Sequence, residues 1–166
     1  MRKTINPYDP TADPDRHFIW ERLIVADSHA FVAGDFALVE DDFDATRFEG
    51  IRCGHSANPD DWHISFASLD VYRQEWLASS RKFLANRFIG LTHLQAVLRR
   101  CRIDRIDIRG DRAIAHKKFA GTIPLEGGQT LSGSRQTLYR LYRKPGSGAA
   151  GWKIVGFLGQ LPLDES

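Results

Sequence analysis

Only two of the 166 residues are cysteine, Cys53 and Cys101. Two are too few to staple a secreted scaffold, so a reduced intracellular compartment, the cytoplasm, is the default; whether the two pair stays open at this level. Charge of one sign is scarce as well: 23 Lys and Arg face 21 Asp and Glu, for a net +2. That excess does not imply a nucleic-acid partner. From Arg99 to Arg112 the arginines alternate with Asp104, Asp107 and Asp111, and no aromatic lies between them. A stacking platform for single strands needs aromatics beside its cations, so this stretch reads as a solvated strand face with cross-strand ion pairs. No apolar run approaches the length of a membrane span. Met1 to Pro14 is polar, holds three prolines and lacks the apolar centre of a signal peptide. Gly127-Gly128 precedes no helix and makes no phosphate cradle, and no serine sits in a nucleophile elbow. His55, Asp60, Asp61 and His63 follow no recognised ligand spacing, so no metal and no cofactor are expected.

What is present suits one domain with a real core: 42% of residues are hydrophobic and 27% charged. Residues 1–12 read as an extended N-terminal segment and 13–166 as a single domain. Asp13-Pro14-Asp15 is a helix start, with a capping carboxylate, a proline at the first helical position and an acid at the positive end of the dipole. The helix runs to about Ala33 and stops at Gly34. Projected at 100° per residue, Ile19, Trp20, Leu23, Ile24, Ala30 and Phe31 form one stripe, and Asp27 falls inside it. Asp35 to Glu40 reads as a short helix, Arg47 to Cys53 as an extended piece, and Gly54 to Asp61 as a loop. A third helix, capped by Ser65 or Ser68, ends near Asn86. After Gly90 the apolar residues alternate, which predicts a long strand beginning with His93 and broken by a bulge near residues 99–105. A hairpin at Arg109-Gly110-Asp111-Arg112 leads to strands over 113–122, 134–143 and 152–161, an antiparallel meander.

The first helix ending in Phe31-Val32-Ala33-Gly34-Asp35, then Asp42-Phe43, His93, the hairpin Ile106 to Ala113 and the terminal Gly151-Trp152-Lys153-Ile154-Val155 carry a resemblance. Over roughly residues 13 to 161 the chain resembles the SnoaL-like and ketosteroid-isomerase-like group of the nuclear-transport-factor-two-like superfamily, which has a cystatin-like fold. The resemblance implies an α+β fold, with N-terminal helices packed on a strongly curved antiparallel sheet that forms a cone around an internal pocket. It also implies a homodimer through the outer sheet face, consistent with large apolar residues on both faces of strands 134–143 and 152–161.

Asp27 is the leading candidate for chemistry, because a carboxylate among apolar side chains suits proton transfer; the competing reading is a structural aspartate that hydrogen-bonds backbone or an arginine behind the pocket. His93 is the second candidate: SnoaL-like sequences often place a pocket histidine before this strand, where an imidazole acts as acid or base. It can equally be a strand-end histidine that caps the sheet. Arg135 and Tyr139, on one strand face, can offer a cation and a phenol to a carbonyl or carboxylate, unless Arg135 pairs with Asp27, Asp42 or Asp44. His116 lines the pocket or points outward beside Lys118. Trp20, Phe31, Trp62 and Trp76 supply apolar walls for a planar or hydrophobic ligand. Two functions fit: a cofactor-independent acid–base enzyme (isomerase, cyclase or dehydratase type) acting on a small apolar carbonyl compound, or a ligand-binding or dimeric accessory module without turnover.

Overall fold

In the computed structural model, which describes residues 4–164, the long first helix begins as read and is then interrupted. Helix α1 (Pro14–Trp20) passes through a π-helical segment, Glu21–Ala26, into α2 (Asp27–Ala33). Asp13 caps the start by accepting from the Arg16 N–H. Gly34 ends the helix at φ 67°, a left-handed conformation that glycine adopts without a Cβ penalty. The next segment makes two 3₁₀ turns, Phe36–Leu38 and Glu40–Asp42. Strand β1 (Glu49–Arg52), a 3₁₀ turn at Pro59–Asp61 and strand β2 (His63–Phe66) lead to α3 (Leu69–Leu84), which Ser68 caps through the Val71 N–H.

The segment after Gly90 is a helix, α4 (His93–Arg100), where the alternation predicted a strand. Thr92 and Gln95 form a reciprocal capping box at its start, satisfying the backbone and side-chain partners together. Leu94, Val97 and Leu98 also lie at helical spacing, so periodicity alone could not arbitrate over so short a run. The strand proper is β3 (Cys101–Arg109), with an irregularity between Ile103 and Arg105. Strands β4 (Arg112–Phe119), β7 (Arg135–Arg143) and β8 (Trp152–Leu161) follow, with a two-stranded ribbon, β5 (Ile123–Pro124) and β6 (Thr130–Leu131), inserted between β4 and β7.

The main sheet has the order β2-β1-β8-β7-β4-β3. The expected antiparallel meander β3-β4-β7-β8 is present, but the sheet as a whole is mixed: β1 runs parallel to β8, pairing Glu49 with Gly156 and Gly50 with Phe157. A strand arriving from between the helices adds to the free edge of the last strand, a pairing that no local signal announces. Along β4, Ala113, Ala115, Lys117 and Phe119 face the helices while Ile114, His116 and Lys118 face outward, the two-residue period of a strand. The core lies between the helices and the inner sheet face and takes in Ile19, Trp20, Leu23, Ile24, Phe36, Ile103, Ala115, Tyr139 and Phe157. Asp15 fastens the first helical turn to the sheet, accepting from Arg143 Nη1 at 2.6 Å and Trp152 Nε1 at 3.0 Å.

Candidate functional site

The π-helical segment shapes the site. The Asp27 N–H bonds to the carbonyl of Arg22, five residues back, and not to that of Leu23, four back. The Leu23 carbonyl accepts instead from Lys117 Nζ on β4, at 2.5 Å. The same ammonium donates to Asp27 Oδ2 at 2.7 Å, and Trp76 Nε1 donates to Asp27 Oδ1 at 3.3 Å. Lys117 is 1% exposed, whereas the Asp27 side chain keeps 28% of its surface free. Burial alone would push the Lys117 ammonium towards neutrality; the Asp27 carboxylate, with Tyr139 and Cys101 behind it, reverses this and raises its pKa above the ordinary value. An amine held protonated is an electrostatic anchor and no nucleophile. The π turn thus turns Asp27 towards the sheet and creates the carbonyl that Lys117 needs.

Asp27 and Lys117 both lie on the wall of a cavity of about 480 Å³ between the helices and the inner sheet face. Tyr72 of α3 and Tyr139 of β7 line it too. Burial raises the Tyr139 phenol, and it raises Tyr72 well above the usual range, with Tyr139 and Asp27 adding to the effect. Both stay neutral O–H donors at neutral pH. The apolar walls are aromatic: Phe31 meets Trp76 edge-on at 5.4 Å, and Phe157 sits 5.0 Å from Tyr72 and 5.9 Å from Tyr139. Arg135 enters from β7 and stacks over Phe119 at 4.6 Å.

Five of the residues singled out in the sequence meet here: Asp27, Phe31, Trp76, Arg135 and Tyr139. Four do not. Trp20 is buried in the core. Trp62 packs into its own loop, donating from Nε1 to the Ser56 carbonyl at 2.9 Å. His93 opens a helix, not a strand; its Nε2 lies 2.9 Å from the Asn86 carbonyl and its ring rests between Phe83 and Phe88. His116 is on the outer face, with Nε2 buried and lacking a partner among the described residues, and burial together with Arg105 and Lys118 lowers its pKa. Asp27 pairs with Lys117, and not with the arginine of the competing reading. Strand alternation carried that signal, since Lys117 is in phase with Ala113 and Ala115. Tyr72 was not singled out: within α3 it sits at helical spacing from Leu69 and Trp76, and nothing else in the sequence marks it.

Among the described residues no group of three or more His, Cys, Asp or Glu is placed to hold a metal, and no helix is long and apolar enough to cross a membrane. Both cysteines are free and buried. A groove of about 700 Å³ crosses the outer sheet face, lined by Arg47, Arg109, Arg112 and Arg140 with Glu49 and Asp107. The Tyr142 phenol lies on it as well, but the groove lacks the aromatic walls of the inner cavity, where Asp27 and two phenols sit among Phe31, Phe66, Trp76 and Phe157, so the inner cavity is the better candidate.

No protein-family model matches the chain, and no curated protein does. Among solved structures it is similar to a nuclear transport factor 2 (NTF2-like) superfamily protein from Salmonella enterica serovar Typhimurium. The TM-score is 0.56 at 16% identity, over 94% of this chain and 96% of that one. An NTF2-like protein with a cystatin-like fold from Novosphingobium aromaticivorans gives 0.56 at 17% identity, over 94% and 86% of the two chains. Aln2 from a Streptomyces species gives 0.56 at 12% identity, over 93% of each. At these identities the likeness is one of fold: the chain has the NTF2-like, cystatin-like fold.

Proposed function

We propose that this NTF2-like chain binds a small carbonyl compound in the inner cavity and catalyses proton transfer on it without a cofactor. One observation carries the reading: a carboxylate and two neutral phenols from different elements, Asp27 with Tyr72 and Tyr139, border the same cavity. Among the described residues Asp27 Oδ1 accepts only the long bond from Trp76, and it retains acceptor capacity. It takes the proton from carbon next to the carbonyl, and a phenol donates to the oxygen on which negative charge grows. Return of the proton at another carbon isomerises the ligand, and loss of a β-hydroxyl as water dehydrates it. The aromatic walls exclude water and favour a planar ligand.

The test needs no known substrate. A panel of aromatic ketones and cyclic enones, each as a neutral compound and as its carboxylate derivative, is incubated with the protein in D₂O, and deuterium at the α-carbon is followed by NMR. Wild type is expected to accelerate exchange for at least one compound, Asp27→Asn to lose about a hundredfold or more of that rate, and Tyr139→Phe to lose about tenfold. Equal exchange in wild type and Asp27→Asn would remove Asp27 from the chemistry. A second reading has an observation of its own: Asp27 already has two donors, which suits a structural pair in a binding module without turnover. Ligand binding with no exchange by any panel member would favour it.

The outer face presents Ile51, Ile64, Ile114, Leu138, Val155 and Leu158 from five adjoining strands, and Ile64 is 60% exposed. We propose that a second copy of the chain covers it, giving a homodimer that leaves both inner cavities free. The cytoplasm is the proposed location.

A further inference from the structure

The charges on the cavity wall do not balance. Arg52, Lys82, Arg100, Lys117 and Arg135 line it, against Asp27 and Glu75. Lys117 is taken by Asp27, and Arg52 pairs with Glu75 at 3.3 Å. Arg100 is buried and its guanidinium is held by carbonyls alone, Gly121 at 3.2 Å and Gly133 at 2.7 Å. The Arg135 side chain makes no hydrogen bond and no ion pair among the described residues; its guanidinium stacks on Phe119. The two guanidinium groups are close enough to repel, each partly desolvated by burial, which lowers the pKa of both, and the repulsion lowers Arg100 further. Two neighbouring half-dry cations without an acid are costly unless something anionic joins them. A planar guanidinium fixed on an aromatic ring presents its edge, the geometry that binds a carboxylate through two parallel hydrogen bonds. Arg135 and Tyr139 lie on the same face of β7, four residues apart, so an anion at one and a carbonyl at the other fit a single elongated ligand.

We propose that Arg135, backed by Arg100, binds a carboxylate of the ligand, so that the substrate class is planar carbonyl-bearing carboxylic acids and not neutral apolar ketones. This rests on the inner cavity being the ligand site, but not on Asp27 being a base. The ammonium of Lys82 at the cavity mouth adds to the attraction.

The experiment uses matched pairs, 4-acetylbenzoate with 4-acetylbenzamide and 6-acetyl-2-naphthoate with its amide, titrated by calorimetry and by ligand-observed NMR. Wild type is expected to bind at least one acid about tenfold or more tightly than its amide, the scale of one charge-assisted hydrogen bond. Arg135→Gln should abolish the preference, bringing the acid's affinity down to that of its amide in the same variant; Arg135→Lys should keep part of it, since charge survives and the fork does not. Should either variant fold poorly, wild type alone still answers: raising salt from about 50 to about 500 mM should weaken the acid and not the amide. Amides binding as well as acids, a preference that survives in Arg135→Gln, or no acid binding at millimolar concentration would each overturn the assignment. Exchange measured in wild type and Asp27→Asn separates the two proposals: acid preference with no exchange in wild type, or with equal exchange in both proteins, defeats the acid–base chemistry alone, and Asp27-dependent exchange without acid preference defeats the Arg135 assignment alone.

Discussion

At the scale of the residue, the site depends on one buried ion pair. Lys117→Met leaves Asp27 Oδ2 and the Leu23 carbonyl without the ammonium they share, and is expected to cost about 3 kcal/mol or more in urea unfolding. The double variant Lys117→Met with Asp27→Leu should recover most of that loss, because an apolar pair in place of a buried ion pair is often close to neutral. A small loss in the single variant would show the pair to be less dry than its burial implies. The pH dependence has a definite sign. The pKa of Lys117 is raised above 10.5 in the folded state, so its contribution is complete below 10.5 and is lost as pH rises through the raised value. The gap in stability between wild type and Lys117→Met should therefore hold up to that pH and close above it. Asp27 was legible because an acid inside an apolar stripe breaks a pattern. Lys117 was not singled out, because a lone lysine in a strand normally reaches solvent, and only its phase with Ala113 and Ala115 says otherwise.

At the scale of the element, the long first helix, the hairpin at Gly110, and strands β7 and β8 could be read within a residue or two, since caps, glycine stops and alternation agreed there. Helix α4 could not, because its alternating and helical periods coincide over eight residues. Its capping box should then matter: Thr92→Ala is expected to cost about 1 kcal/mol, measured by thermal or urea unfolding. No loss would mean that packing alone sets the start of the helix. The β1–β8 pairing depends on close approach. A Cβ on Gly50 would lie 2.8 Å from both the Phe157 and Phe66 rings, and both rings line the cavity. Gly50→Ala should destabilise the protein by about 1–3 kcal/mol and weaken ligand binding together, by overpacking the same rings. The π turn was invisible in the sequence, because helical periodicity does not record which carbonyl each N–H chooses.

At the scale of the whole molecule, fold class and family resemblance were readable from the order of the elements, while the site was readable only in part. Convergence on a cavity is a property of the tertiary structure, and it admitted Asp27, Arg135 and Tyr139 but left His93 and His116 outside. The outer face makes a separate prediction. Light scattering at micromolar concentration should give twice the chain mass, and Ile64→Asp with Leu158→Arg should give a folded monomer. A wild-type monomer would leave that apolar face without the proposed partner.

The most direct measurement is a crystal structure of the protein with whichever aromatic keto acid binds tightest. The ligand is expected in the inner cavity, its carboxylate on Arg135, its ketone oxygen within about 3 Å of Tyr139 or Tyr72, and its α-carbon facing Asp27. Density for the ligand in the outer groove of Arg47, Arg112 and Arg140 would contradict the central claim. So would an inner cavity left empty at saturating ligand.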